Sequence, residues 1–170
     1  VTYETGKLVV QESTYQIYVP EEQLNVVYNG KNQMFTAVIK DGEKVLTEIT
    51  DITYEVNGFT FAGATNAGSY EVVVSYHHET YGDGKASVVF NIAKCEFDVN
   101  TVKFQNDILE YNGEEQNLVI EGTLPEGITV KYSQGATDVV TEKVIVATFE
   151  ASENYTFKNG VKTLEAKLTI

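Results

Sequence analysis

The chain has 170 residues and a formal charge of −13, with 25 Asp and Glu against 12 lysines and no arginine. That balance excludes nucleic-acid binding, because a phosphate backbone demands a basic stripe and favours the guanidinium fork. A single cysteine, Cys95, rules out an intrachain disulfide framework and a multi-cysteine zinc site. No apolar run reaches the roughly 18 residues of a membrane span, so membrane insertion by this segment is not expected.

Val, Thr and Ile together supply 52 residues, and 11 Tyr and 8 Phe join them. β-Branched and aromatic side chains fit pleated, half-buried surfaces, so the composition predicts an all-β chain. Asn-Gly and Asp-Gly pairs at 29–30, 41–42, 57–58, 112–113 and 159–160 mark turns between apolar runs, since both residue types tolerate positive φ. The one weak helical candidate is 44–50, too short and too rich in Thr and Ile to persuade.

In chain order, residues 1–10 read as the final strand of a preceding repeat, or as the first strand of the repeat that follows. Tyr15-Gln16-Ile17 then leads into Tyr28-Asn29-Gly30-Lys31-Asn32-Gln33, and Phe97-Asp98-Val99 leads in the same way into Tyr111-Asn112-Gly113-Glu114-Glu115-Gln116. The shared pattern is Y-N-G-x-x-Q, and an internal repeat of this length governs every later inference. Alternation over Tyr70–Tyr76 and over Lys143–Phe149 predicts equivalent central strands. Their inward sets are Val72, Val74 and Tyr76, and Ile145, Ala147 and Phe149. Each copy closes on a strand, at 87–92 and at 165–170. The predicted organisation is a first repeat over 11–93 and a second over 94–170, each of about seven short strands in a two-sheet sandwich. No Gly, Ser or Pro linker stands at the joint near Ala93-Lys94, so a short connection is expected there.

Tyr28-Asn29-Gly30, the 51–56 strand and Thr65-Asn66-Ala67-Gly68-Ser69-Tyr70 in one copy resemble the MBG-type and YDG-type bacterial immunoglobulin-like repeats of Gram-positive surface proteins. In the other copy the resemblance is carried by Tyr111-Asn112-Gly113, the 122–132 segment, Asn154-Tyr155 and the closing 164–170 strand. It implies two tandem Ig-like β-sandwich domains, extracellular and wall-attached or secreted, acting as a stalk, spacer or adhesive module. The expected partners are adjacent repeats of the same chain, and the alternative reading is a binding module whose loops recognise a host glycan or protein. Accessory domains of a secreted carbohydrate-active enzyme are a further alternative. The second copy departs from the pattern at Val140-Thr141-Glu142-Lys143, which lacks the glycine and tyrosine of the N-A-G-T-Y turn.

The residues themselves name no catalytic, metal or cofactor site, and no binding residues. His77-His78-Glu79 is the one cluster of metal-ligating types. Adjacent strand residues point to opposite faces, so the two imidazoles are expected not to converge on one ion. Asp83 in Gly82-Asp83-Gly84-Lys85 lacks the following ligands of a calcium loop, and Glu79 stands where a phosphate loop requires its first glycine. Cys95 beside Glu96 reads as an inert thiol. The acidic excess is even, −7 over residues 1–93 and −6 over 94–170, as expected of a solvating surface on a monomer. The tyrosines of both Y-N-G turns are expected to pack on their own repeat. An intramolecular isopeptide crosslink would need a buried lysine, which a sequence does not reveal.

Overall fold

The computed structural model describes residues 15–170, so the expectation for residues 1–10 lies outside the described residues. Strands dominate and the chain is all-β in character, divided into two compact units. One unit runs to Val26 and resumes over Gly30–Ile92; the other takes Val27–Asn29 and Ala93–Ile170.

Up to Ala93 the strands are β1 (Gln16–Tyr18), β2 (Asn25–Val27), β3 (Val38–Asp41), β4 (Lys44–Val45), β5 (Asp51–Val56), β6 (Phe59–Thr60), β7 (Gly68–His78) and β8 (Gly82–Ala93). One turn of helix, α1 (Glu21–Leu24), follows Pro20, whose fixed φ suits the residue that opens a helix. The weak candidate at 44–50 instead supplies β4 and a turn. The main sheet has the order β2-β8-β7-β5-β6, and a smaller sheet the order β1-β3-β4. Ile39 of the smaller sheet meets Tyr76 of the larger one, with Leu46 and Ile49 beside them, which makes the arrangement sandwich-like.

After Lys94 come β9 (Cys95–Phe97), β10 (Asp107–Ile108), β11 (Ile128–Tyr132), β12 (Lys143–Ala151), β13 (Tyr155–Phe157) and β14 (Thr163–Thr169). Here the main sheet runs β10-β14-β12-β11, and β13 pairs with β9 in parallel. Phe97 packs against Ala147 and Phe149, again placing a small sheet over a large one. The four-strand order β2-β8-β7-β5 is therefore repeated as β10-β14-β12-β11.

β7 and β12 hold the same central place, and the alternation explains their burial. Val72, Val74 and Tyr76, and likewise Ile145, Ala147 and Phe149, are all buried. The largest fully buried rings are Phe35, Phe90 and Phe149, each worth roughly 1.5–3 kcal/mol in removed apolar surface. Charge takes no part in this core, for no polar or charged residue is buried among the described residues.

A second shared device ties the irregular segment after each Y-N-G turn to the sheet. Gln33 and Ala64 exchange backbone hydrogen bonds at 2.9 and 3.0 Å, and Gln116 and Ala136 do so at 2.9 Å in both directions. Four residues past each glutamine, the Ala37 N–H donates to the Tyr54 hydroxyl and the Ile120 N–H to the Tyr132 hydroxyl, both at 3.0 Å. The shared spacing of the motif thus sets backbone register. The glycine before each bridging alanine has little room. A Cβ on Gly135 would sit 2.1 Å from the Gln116 carbonyl oxygen, and one on Gly63 would sit 2.6 Å from that of Gln33.

In the turn that leads into β12, Glu142 itself takes positive φ (50°). Its N–H donates to Thr169 Oγ1 at 3.1 Å and its carboxylate meets Lys167 at 3.1 Å.

Removing either tyrosine hydroxyl leaves a half-buried N–H without its acceptor, which costs about 1–3 kcal/mol. Tyr54→Phe and Tyr132→Phe are each expected to lower unfolding free energy by about that amount in urea titrations. Tyr18→Phe, at a residue whose hydroxyl makes no such clamp, should change it by less than about 0.5 kcal/mol.

Candidate functional site

The densest group of titratable side chains lies at the far end of β7. Antiparallel register sets His77 opposite Asp51 of β5 on one side and opposite Asp83 of β8 on the other. His77 Nδ1 contacts Asp83 Oδ1 directly. This hydrogen bond and the Asp83 charge, with smaller contributions from Asp51 and Glu79, raise the imidazole pKa above its ordinary 6.5. A shallow trough of about 490 Å³ runs along this face, lined in part by Thr53, Ser75 and Lys85.

His78 points the other way, as period-2 geometry requires. Its Nδ1 accepts from the Thr80 and Tyr81 N–H groups at 3.1 and 3.3 Å, and its ring lies 4.9 Å from that of Tyr81. One histidine is therefore a surface partner of Asp83 and the other caps the β7–β8 turn. Among the described residues, no group of three or more His, Cys, Asp or Glu is arranged to hold a metal ion.

Ser75 shares the His77 face, which invites comparison with a hydroxyl, imidazole and carboxylate set. Such a set works by a hydrogen bond from nucleophile to base in a water-excluded site. The imidazole nitrogen that faces a partner is given to Asp83 and not to the Ser75 hydroxyl, and the His77 and Asp83 side chains are 64% and 74% exposed. In water an ion pair of this kind contributes little, and the trough offers no dry cavity.

The second unit carries a wider groove, about 680 Å³, lined by Lys94, Glu150, Ser152, Tyr155, Phe157 and Lys162 among others. Burial, followed by the influence of Tyr28, Cys95 and Glu126, pushes the Tyr155 hydroxyl pKa up. Nearby, Asp98 accepts from the Asn100 N–H at 2.9 Å and meets Lys158 at 3.2 Å. In that order these two interactions hold its carboxyl below the usual range. Asp98 caps the short 3₁₀ turn Val99–Thr101, a structural duty. Cys95 is half-buried on β9, its thiol 3.8 Å from the Glu96 carbonyl oxygen.

The two motif tyrosines correct the expectation that both pack on their own repeat. Tyr28 belongs to the second compact unit, where its ring meets Tyr155 edge-on with centroids 5.4 Å apart. Tyr111 is 60% exposed. Both turns keep the expected glycine geometry, with φ of 76° at Gly30 and 80° at Gly113. The rings diverge because the turn fixes only the backbone, while packing depends on what else lies within reach. No lysine is buried among the described residues.

Comparison with known protein families, characterised proteins and solved structures gives no match. Among the described residues no helix is long and apolar enough to cross a membrane.

Two measurements follow from this geometry. The His77 ring protons should titrate with a midpoint above 6.5, and Asp83→Asn should bring that midpoint down toward the ordinary value in a proton NMR titration. Because the pKa is raised in the folded state, the stabilisation is full below 6.5 and is lost as pH climbs through the folded value; stability should ease downward across that window, and less so in Asp83→Asn. Separately, the melting temperature in excess chelator and in millimolar calcium should agree within about two degrees at matched ionic strength, since a specific site would raise it by mass action.

Proposed function

We propose that this chain is a non-enzymatic pair of tandem immunoglobulin-like repeats of the MBG/YDG type, serving as a stalk, spacer or adhesive module of a bacterial surface protein. On this reading it is extracellular, either attached to the cell wall or secreted. The observation that carries the reading is duplication of architecture rather than of chemistry. The same four-strand order, the same glutamine-to-alanine backbone bridge and the same tyrosine hydroxyl clamp occur twice. The titratable cluster at His77 occurs once, since the β12 position that the repeat spacing sets against His77 is Glu150.

A spacer needs rigid units that resist association. Twelve-residue β8, at about 3.3 Å per residue, spans on the order of 40 Å, which sets the reach of one unit. The evenly spread negative charge keeps copies apart in solution and away from anionic wall polymers.

Replacing the chain, in a surface display that supports cell adhesion, by two unrelated sandwiches of equal length tests the reading. Adhesion retained after the swap is the expected outcome for a spacer. Adhesion lost on the swap, with display level unchanged, would overturn the spacer role and leave the adhesive one, with a ligand-binding surface on this chain.

A further inference from the structure

The Y-N-G-x-x-Q pattern places a tyrosine at the same point twice, and the two rings end in different surroundings. Tyr28 follows β2; its N–H donates to the Ala93 carbonyl at 2.8 Å, and its ring stands at 76° to that of Tyr155. Tyr111 lies three residues past the end of β10 and is exposed. Ile108, 79% exposed, lies opposite Thr169 of β14, and the Leu109 N–H donates to the Thr169 carbonyl at 2.9 Å. Val139, also exposed, precedes Val140, whose backbone exchanges hydrogen bonds with Ile170 at 3.2 and 2.9 Å. Ile108 and Val139 thus belong to segments that bond to the C-terminal end of β14, and Tyr111 comes two residues after Leu109.

We propose that this end of the second unit is a docking surface for a further unit of the Ala93–Ile170 kind, with Tyr111 packing on that unit's counterpart of Tyr155. Tyr28 identifies the occupant. The same motif residue, after the corresponding edge strand, already makes that contact inside the unit formed by Val27–Asn29 and Ala93–Ile170. Register supports the correspondence. Val72 pairs with Val88 and Ile145 with Ala166, so Ile170 stands where Ile92 stands in the first copy. The occupant is joined in sequence rather than recruited from solution. A free copy has the edge of its own Tyr155 taken by Tyr28, and two chains of −13 repel. The inference rests on the tandem-repeat reading and goes beyond it by assigning the contact residues.

The chain has no tryptophan, so Tyr111→Trp introduces a single reporter. In the 170-residue chain its fluorescence should be red-shifted and readily quenched by acrylamide. In an extended chain, with a second copy of 93–170 following Ile170, quenching should fall several-fold and emission should move to the blue. Changing the counterpart of Tyr155 to Ala in the added copy alone should reverse both changes. Tyr28→Trp in the 170-residue chain is the positive control, protected until Tyr155→Ala is added. Equal quenching of the Tyr111→Trp indole in the short and extended chains would overturn the proposal. So would failure of the added copy to fold after Ile170, since the joint is held to be interchangeable with that after Ile92. Loss of adhesion in the sandwich swap would leave these quenching ratios untouched, so the two readings fail separately.

Discussion

A backbone N–H carried into an apolar layer without an acceptor costs about 1–3 kcal/mol, and both units face that cost where an irregular segment crosses the main sheet. Ala37 is buried and Ile120 half-buried, and neither lies in a strand that could supply a ladder partner. The tyrosine on the adjacent strand solves the problem in each case. Its ring adds to the core and its hydroxyl reaches the donor. Once that bond is made, the bridge at Gln33 or Gln116 fixes the register of the preceding turn, and the glycine before the bridging alanine allows the two backbones to approach. Phe35 and Leu118, two residues past each glutamine, are thereby delivered to the core. Tyr54 also stands edge-on to Phe35 with centroids 5.5 Å apart. The packing of one layer thus follows from a single polar contact.

Much of this was legible because a strand has period two. The inward faces of β7 and β12 could be read residue by residue, since alternation and burial are the same fact seen in sequence and in space. The clamp was harder. Tyr54 and Tyr132 look like any strand tyrosines, and the hydrogen bond depends on a loop 17 or 12 residues away. Gly63-Ala64-Thr65 and Gly135-Ala136-Thr137 repeat at a spacing one residue different from that of the strands that follow, so an alignment fixed on those strands passes over them. The helix α1 has four residues and no buried side chain, which leaves no amphipathic signal to read. Exposure of Tyr111 was not legible, because turn chemistry specifies φ and says nothing of what covers the neighbouring ring.

Electrostatics has little part in the stability of each unit, and that shapes the functional reading. The ion pairs Lys103–Glu121, Lys131–Glu150, Lys158–Asp98 and Lys167–Glu142 all have a lysine that is about half exposed or more. Water screens such pairs, and holding two long side chains in one geometry offsets much of what attraction remains. With no charge buried among the described residues, the acidic excess is free to serve solubility and repulsion, at little cost to the fold. The His77 and Asp83 pair belongs to this surface, so its raised pKa reports a good local contact rather than the dry, preorganised pocket that acid–base chemistry requires.

The two units differ where the chain leaves the clamping tyrosine's strand. After β5 the Asn57-Gly58 turn, with positive φ at both residues, folds Phe59–Thr60 back as β6, and the Phe61 N–H donates to the Tyr54 carbonyl at 2.8 Å. After β11 the chain runs through Ser133 to the Gly135-Ala136 bridge with no such hairpin, so β11 ends the order of its sheet. Ser133 closes the corner by accepting from the Val146 N–H at 2.9 Å, and Asn117 donates to its carbonyl at 2.8 Å. An edge strand left open is a template for unwanted pairing, and a lysine on it is one natural guard. Lys131 sits there, held 2.7 Å from Glu150 on the neighbouring strand. A two-residue turn thus decides whether the edge is covered by backbone or guarded by charge, and the clamp is indifferent to which, because it acts on the opposite layer.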